Sequence, residues 1–169
     1  MLSVMLSVVD DFQDYEFVIA GAPSQEYEFY QQFLKNKNIA FVSNKTYDLL
    51  RSSTAALVTS GTATLETALF KVPEVVCYKG SEISYQIAKR IITLKYISLV
   101  NLIMDQEVVT ELIQNDCNTK RIKEELQKLL EPASREKLLK NYDILEQKLG
   151  GVGASKKTAK LIVADLKQA

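Results

Sequence analysis

Short apolar runs alternate with longer stretches of helical spacing along the first hundred residues. The runs are rich in valine, isoleucine and aromatic residues, which favour strands, and each is followed by apolar positions that recur every three or four residues. A strand–helix–strand alternation is typical of a parallel sheet with helices on both faces. The predicted strands are residues 16–21, 39–43, 55–60, 74–78 and 96–100.

Helical spacing accounts for most of the rest of the chain. Ser24 is the expected N-cap of the second helix, and the Gly-Gly-Val-Gly stretch at 150–153 is a hinge-like break before the last one. We therefore predict a Rossmann-like α/β domain over residues 1–150 and a helical C-terminal extension over 151–169. The predicted helices are 2–12, 24–37, 45–52, 62–70, 83–94, 107–114, 119–130, 133–149 and 155–167.

Composition excludes several classes of function. Lys plus Arg and Asp plus Glu both number 21, so no strong field favours nucleic acid. The 169 residues contain no histidine, which excludes a histidine base, a histidine metal ligand and a Ser-His-Asp triad within this chain. We expect no metal and no cofactor, and we expect Cys77 and Cys117 to be buried and reduced. No apolar stretch is long enough to span a membrane.

The stretch Ser-Gly-Thr-Ala-Thr-Leu-Glu at 60–66 is the most informative motif. It follows a predicted strand and opens a predicted helix, and ligands of such sheets bind beyond the carboxyl ends of strands. Gly61 permits a tight turn and a close approach by a ligand, and the N–H groups at a helix start favour a phosphate. The Ser60 and Thr62 hydroxyls add donors, and Glu66, one turn further on, is placed to accept from sugar hydroxyls.

Local structure offers an equally good explanation of the same residues. Ser60 or Thr62 can cap the helix, and Glu66 can stabilise its dipole. The chain has neither the Gly-x-Gly-x-x-Gly nor the P-loop pattern of common nucleotide sites. Glu66 and Glu74 have a spacing seen in sugar-nucleotide enzymes, but Glu74 begins a predicted strand, far from the expected binding edge, so we treat this spacing as a coincidence.

The region 78–114 holds a second group of polar residues. Lys79, Lys89, Arg90 and Lys95 surround a predicted amphipathic helix, which favours an ordinary surface helix over a face that contacts anionic lipid. Asn101 follows the predicted strand 96–100. Its amide is either a turn residue or a group that reads a ligand hydroxyl or base.

Four motifs in this order resemble the C-terminal half of the lipid-A-disaccharide synthase family, inverting glycosyltransferases of family 19 with the two-domain GT-B architecture. The likeness runs from about residue 15 to residue 169. The motifs are Ser-Gly-Thr-Ala-Thr-Leu-Glu at 60–66, Tyr78-Lys79 with a following Ser-Tyr-x-x-x-Lys, Ser98-Leu99-x-Asn101-Leu102, and Glu111-Leu112-x-Gln114.

The resemblance implies a reaction and a set of site residues. The family transfers a diacylglucosamine from UDP-2,3-diacylglucosamine to diacylglucosamine 1-phosphate, which gives the lipid A disaccharide and UDP. It also implies peripheral contact with the anionic inner face of the inner membrane in the cytoplasm of a Gram-negative bacterium. The implied UDP-binding residues are Ser60, Gly61, Thr62, Glu66 and Asn101, and the residues implied to line or brace the cleft are Tyr78, Lys79, Glu111 and Gln114.

The chain also departs from the family. Val100 stands where a proline is usual, and Asp105-Gln106 replaces a Gly-Arg or similar pair. The N-terminal domain, which the resemblance implies holds the acceptor and an acidic general base, has no counterpart here. We therefore expect a donor-binding fragment without catalytic residues that is inactive alone. Its last helix would pack on that domain or be exchanged within a homodimer.

Two alternatives stay open at the level of the sequence. One is another UDP-sugar enzyme of similar architecture, such as a UDP-N-acetylglucosamine epimerase or the peptidoglycan N-acetylglucosaminyl transferase. The other is a non-catalytic module that binds a nucleotide or a membrane. A reading frame with about 200 further upstream residues would favour the glycosyltransferase.

Overall fold

Two parallel sheets organise the chain. The computed structural model describes residues 1–22, 24–34, 39–81, 95–151 and 153–166. One sheet pairs two strands in register from Phe17↔Ile39 to Gly21↔Ser43. The other has three strands in the order β3-β4-β5, so β4 is central. The strands are β1 (Phe17–Gly21), β2 (Ile39–Ser43), β3 (Ala56–Thr59), β4 (Glu74–Tyr78) and β5 (Thr110–Ile113).

Helices connect and cover these strands, which confirms the predicted Rossmann-like α/β class with a parallel sheet. A short 3-10 helix at Leu6–Asp11 continues the first helix, and another lies at Gln114–Asp116. Within the described residues, the α-helices are α1 (Leu2–Met5), α2 (Tyr27–Leu34), α3 (Thr46–Ser52), α4 (Thr62–Leu69), α5 (Leu99–Met104), α6 (Thr119–Leu130), α7 (Pro132–Lys148) and α8 (Ala154–Leu166).

The central strand β4 is buried on both faces, as expected of a parallel sheet. Val75 and Cys77 pack with residues of α1, the first 3-10 helix and α6. Val76 points the other way and packs with residues of α4, α5 and α7. Because side chains alternate along a strand, one five-residue segment serves two cores. Cys77 and Cys117 are both buried and unpaired, as predicted.

The prediction of a strand at 96–100 is wrong. Ser98 is instead the N-cap of α5, and its Oγ accepts a hydrogen bond from the Asn101 N–H at 3.2 Å. The run of β-prone residues from Tyr96 to Val100 suggested a strand, but strand preference depends strongly on context. Serine is a common N-cap residue because its side chain accepts from the backbone N–H of the residue three positions later. Here that hydrogen bond starts a helix where a strand was predicted.

The prediction of a helix at 107–114 is also wrong, as is the expectation that strands end after residue 100. Thr110–Ile113 forms β5, which pairs with β4 from Val75↔Thr110 to Tyr78↔Ile113. The β-branched residues Val108, Val109 and Thr110 favour the extended form. The observed pairing supplies the backbone hydrogen bonds that a helix would otherwise have made.

Other predicted helices differ from the structure in smaller ways or lie where it cannot be compared. The helix expected from Ser24 begins at Tyr27, so Ser24 is not its N-cap. The helix expected at 83–94 lies outside the described residues. The last helix, α8, exposes large apolar side chains, with Leu161 and Leu166 each 71% exposed. Among the described helices, none has the length and apolar character needed to cross a membrane.

Candidate functional site

Polar loops meet at the carboxyl edge of the three-stranded sheet. Strand β3 ends at Thr59 and leads into Ser60 and Gly61, while the neighbouring β4 ends at Tyr78 and leads into Lys79. Because the strands are parallel, the loops that follow them lie on the same side of the sheet. This is the edge where open α/β sheets bind ligands.

Gly61 forms the turn between β3 and α4. Its φ is 142° and its ψ is −163°, a conformation that a side chain strongly disfavours. Apart from the adjoining residues, no described residue has an atom within 4 Å of the place where a Cβ would stand. The turn therefore requires glycine for its backbone conformation, and the described residues leave open space in front of that backbone.

The first turn of α4 is not capped by a side chain. Gly61 occupies the N-cap position, and no side chain makes a capping hydrogen bond. The Gly61 carbonyl accepts from the Thr64 N–H at 3.2 Å and from the Thr64 hydroxyl at 2.8 Å. Within the described part of the chain, the N–H groups of Thr62 and Ala63 have no partner. The alternative in which Ser60 or Thr62 caps the helix is therefore wrong, and two donors are available to an anion.

Glu66 lies on the same side of α4 as Thr62, because residues four apart are neighbours on a helix. Its side chain is half-buried and follows the two unpartnered N–H groups by one turn. One helix start thus combines backbone donors, a hydroxyl and a carboxylate. Such a set can bind a phosphate together with a hydroxyl-bearing group, which is the combination found in a nucleotide.

The Ser60 side chain is used differently from the sequence prediction. Its hydroxyl donates to the Ile97 carbonyl oxygen at 3.0 Å. A hydroxyl has a single proton to donate, so Ser60 as placed offers acceptor lone pairs to a ligand rather than the predicted donor. The same bond ties the β3–α4 loop to the segment that precedes α5.

Asn101 lies inside the protein and not at a strand end. Its side chain is 0% exposed, and its amide makes four hydrogen bonds, the most that an asparagine side chain is equipped to make. Nδ2 donates to the Val109 carbonyl and to Glu111 Oε1, at 2.8 and 2.9 Å. Oδ1 accepts from the N–H groups of Val108 and Val109, at 2.7 and 2.9 Å. In this arrangement Asn101 has no group left to offer to UDP.

Glu111 has a similarly complete set of partners. Oε2 accepts from the Ile97 N–H at 2.9 Å. Oε1 accepts from the N–H and the hydroxyl of Ser98, at 2.9 and 2.7 Å, and from Asn101. Together these four bonds hold the turn before α5 against β5. Glu111 thus braces the segment before α5, and the role at the cleft that the resemblance implied stays a prediction.

Gln114 braces the loop after β4. Its Oε1 accepts from the Gly80 N–H at 2.8 Å, and its own backbone has a φ of 50°. Tyr78 and Lys79 are exposed beside that loop. The structure therefore places Tyr78, Lys79 and Gln114 at the same sheet edge as Gly61.

Two contributors to this sheet edge were not predicted. They are the Gly80 N–H, which donates to Gln114, and the peptide unit that joins Ile97 to Ser98. The serine three residues before Asn101 is the one sequence signal that would have indicated the peptide unit, because it resembles a helix N-cap. Backbone groups carry no residue-type signature, so the Gly80 N–H was not visible in the sequence. The free N–H groups at the start of α4, in contrast, were expected from the strand–turn–helix pattern.

Glu74 lies apart from this site, at the amino end of β4. Both carboxylate oxygens are buried, and neither has a hydrogen-bond partner among the described residues. Burial raises the pKa of Glu74 to about 9. Its position agrees with the expectation that its spacing from Glu66 has no role at the binding edge.

The sequence has identified relatives. A sequence model of the family described as "Lipid-A-disaccharide synthetase" matches residues 3–163. The lipid-A-disaccharide synthase of Geobacter sulfurreducens is 37% identical over 97 residues, covering 57% of this chain and 25% of that protein. That of Acidobacterium capsulatum is 40% identical over 89 residues, covering 52% and 22%. That of Psychromonas ingrahamii is 50% identical over 62 residues, covering 37% and 16%.

Each of these alignments spans a quarter or less of the relative's own length. The family match, in contrast, covers nearly all of this chain and includes the 60–66 loop, Asn101, Glu111 and Gln114. The fold described above agrees with this match, because it is an α/β domain with parallel sheets covered by helices. The chain therefore belongs to the lipid-A-disaccharide synthase family of glycosyltransferases.

Proposed function

We propose that this chain binds the UDP-diacylglucosamine donor for the transfer that forms the lipid A disaccharide. The observation that carries the proposal is the open Gly61 turn at the start of α4, with the unpartnered N–H groups of Thr62 and Ala63. These groups are suited to the diphosphate, because a helix start attracts anions through its free donors and its dipole.

Two parts of α4 bind different parts of the nucleotide. The Gly61 turn, the Thr62 hydroxyl and the backbone donors face the diphosphate. Glu66, one turn further into the helix, accepts from the ribose hydroxyls. Ser60 supplies an acceptor rather than a donor, and Asn101 supports the site from inside the protein.

Transfer of the sugar also needs an acceptor site and a general base. The alignments reach a quarter or less of each relative, so we place the acceptor site and the acidic general base in the remainder of those proteins. The chain alone should bind UDP without forming a disaccharide. Disaccharide synthesis by the purified chain would contradict this assignment.

Binding can be tested by titrating the isotope-labelled chain with UDP and following its amide resonances. We expect saturable shifts centred on Gly61, Thr62 and Ala63 at up to millimolar UDP. A folded sample that shows no shift in this range would contradict the proposal. A parallel titration with inorganic pyrophosphate separates recognition of the phosphates from recognition of the nucleoside.

Two variants test which residues recognise the ribose and which recognise the diphosphate. Glu66→Gln should weaken UDP but leave pyrophosphate binding nearly unchanged, because it alters the ribose acceptor alone. Gly61→Ala should weaken both ligands, since its φ of 142° disfavours a side chain. Glu136→Gln is a matched control, because Glu136 is a surface carboxylate of α7 that pairs with Lys140. Equal losses in the Glu66 and Glu136 variants would contradict a ribose contact.

The last helix is proposed to contact a partner. Its exposed apolar residues, Leu161, Ile162, Val163 and Leu166, follow the glycine-rich hinge. We propose that α8 packs on the acceptor domain or is exchanged within a homodimer, at the inner face of the inner membrane of a Gram-negative bacterium. Sedimentation that shows only monomer at high concentration would contradict the exchange, and failure to co-float with anionic vesicles would contradict the membrane contact.

A further inference from the structure

One peptide unit links the β3–α4 loop, which contains Ser60 and Gly61, to β5. The carbonyl of Ile97 accepts from the Ser60 hydroxyl at 3.0 Å. The N–H of Ser98 donates to Glu111 Oε1 at 2.9 Å. These two groups are the opposite ends of the same planar peptide. Glu111 and Ser60 have no hydrogen bond to each other, yet both hold the 97–98 peptide.

Hydrogen bonds at the two ends of a peptide strengthen each other. A carboxylate that accepts from the N–H polarises the peptide and makes its carbonyl a stronger acceptor. Bonds to a charged acceptor are also about twice as strong as neutral ones. Glu111 therefore fixes the position of the 97–98 peptide and strengthens the acceptor to which Ser60 donates.

This chain of bonds sets what Ser60 presents to a ligand. With its proton held by Ile97, the Ser60 hydroxyl offers lone pairs at the mouth of the site. If the peptide turned away, the same hydroxyl would be free to rotate and to direct its proton elsewhere. The orientation of Ser60 thus depends on a carboxylate with which it makes no direct bond.

We propose that Glu111 is a positioning residue of the donor site, and that it acts on Ser60 through the peptide between Ile97 and Ser98. The proposal rests on the function proposed above and deepens it. It assigns Ser60 as an acceptor for a ligand hydroxyl or N–H, while the Thr62 and Ala63 N–H groups bind the phosphates.

The test uses Glu111→Gln, Ser60→Ala and the double variant. Glutamine keeps the shape of Glu111 but replaces one acceptor oxygen by an NH₂ group, which faces donors at Ile97 or Ser98. Glu125→Gln is the matched control. Glu125 is a buried carboxylate of α6 that accepts from Thr110 Oγ1 at 3.2 Å, so it contacts the same strand but does not touch the 97–98 peptide.

A double-mutant cycle on UDP affinity gives the main readout. We expect Glu111→Gln and Ser60→Ala each to weaken UDP by about tenfold, and the double variant to be no weaker than either one. Ser60→Ala combined with Glu125→Gln should give additive effects. Additive losses for Glu111 and Ser60 would overturn the inference, because two residues in one chain of bonds cannot act independently.

Amide resonances provide a second readout that needs no ligand and no change to Glu111. Ser60→Ala removes a surface-loop hydroxyl and should shift the Ser98 N–H resonance, whereas Thr62→Ala should not. An unchanged Ser98 resonance would overturn the proposed link between Ser60 and Glu111 through the 97–98 peptide, even if Glu111→Gln failed to fold. Failure of the unaltered chain to bind UDP would overturn the proposed function itself, whereas binding with an additive cycle would overturn this inference alone.

Discussion

Glu74 and Glu111 belong to neighbouring strands and have opposite surroundings. Glu111 pairs in register with Val76, and Glu74 precedes Val76 by two residues, so both carboxylates point to the face covered by α4, α5 and α7. Glu111 accepts four hydrogen bonds. The Glu74 carboxylate accepts none from the described residues and lies near Tyr142, whose hydroxyl makes no hydrogen bond of normal geometry there.

The difference shows how the surroundings of a carboxylate decide its behaviour. Glu111 is half-buried and accepts from the Ile97–Ser98 turn and from Asn101, so its partial burial costs little and it holds that turn against β5. Glu74 is buried beside Tyr142 and its carboxylate has no hydrogen-bond partner among the described residues, so burial disfavours its charged form. Glu74, unlike Glu111, is therefore expected to make stability depend on pH.

The largest expected effect is the pH dependence caused by Glu74. Its pKa is about 9 in the folded chain against 4.5 for an ordinary glutamate, so unfolding releases a proton between these pH values. The stabilisation is complete below about pH 4.5 and is lost as pH rises toward 9, by up to about 1.4 kcal/mol per pH unit. Urea unfolding over this range should show the slope, and Glu74→Gln should abolish most of it.

A surface carboxylate serves as the control for this slope. Glu136 has a lowered pKa, because its side chain hydrogen-bonds to Lys140, so its contribution changes only in acid. Glu136→Gln should leave the slope above neutral pH unchanged. If Glu74→Gln and the unaltered chain lost stability equally with rising pH, Glu74 would not be the source.

The second-largest effect is expected at Asn101, whose side-chain amide makes all of its hydrogen bonds and donates one of them to Glu111. Asn101→Ala removes four hydrogen bonds and leaves the N–H groups of Val108 and Val109 without their acceptor. We expect it to lower the free energy of unfolding by about 3 kcal/mol. Asn118→Ala, which removes the exposed N-cap of α6, should cost about 1 kcal/mol. Equal losses would show that the Asn101 network is worth no more than a helix cap.

A smaller effect is expected at Tyr142. Its buried hydroxyl makes no hydrogen bond of normal geometry among the described residues and has only a weak interaction with the Glu74 backbone, so Tyr142→Phe removes a poorly satisfied group and should raise stability by about 1 kcal/mol. Tyr30 is the matched control, because its hydroxyl accepts from the Ala22 N–H at 2.8 Å. Tyr30→Phe should therefore lower stability by about 1 kcal/mol. A loss of stability in the Tyr142 variant would show that its hydroxyl is satisfied after all.

The smallest effect concerns charges in contact with solvent. Lys71 pairs with Asp143 and Glu146 of α7, at 2.7 and 2.8 Å. Burial lowers the pKa of Lys71, but hydrogen bonds to these two carboxylates outweigh it, so the pKa is raised. Lys71→Met should cost about 0.5 kcal/mol, and high salt should reduce the difference. A loss that high salt leaves unchanged would indicate packing of the lysine stem instead.

Sequence patterns predicted the parts of the fold that depend on periodicity. The first four strands and the helices α3, α4, α6 and α7 lie close to their predicted places. The two elements of the wrong type fall between residues 96 and 114, where Ser98 caps a helix in a β-rich run and Thr110–Ile113 joins the sheet. There the outcome depends on one hydrogen-bonded cap and on pairing with a distant strand, neither of which local preference measures.

The same distinction applies to the site. The placement of Gly61 and Thr62 at a sheet edge followed from the strand–turn–helix pattern. The orientation of Ser60 and the burial of Asn101 did not, because each depends on residues at least seven positions away in the sequence. Residue types can indicate which groups are available, but only the folded chain shows which of them are already bonded.

The Gly61 turn has a consequence for the handedness of the residue it can accept. Its φ and ψ of 142° and −163° are the mirror image of an ordinary extended conformation of an L-residue. Apart from the adjoining residues, no described residue has an atom within 4 Å of the place that the Cβ of an L-residue would take, so the barrier to L-alanine is stereochemical rather than one of space. A D-alanine introduced at position 61 by chemical ligation would therefore keep the loop that L-alanine disturbs, and comparing the two enantiomers would isolate backbone conformation from the added methyl group.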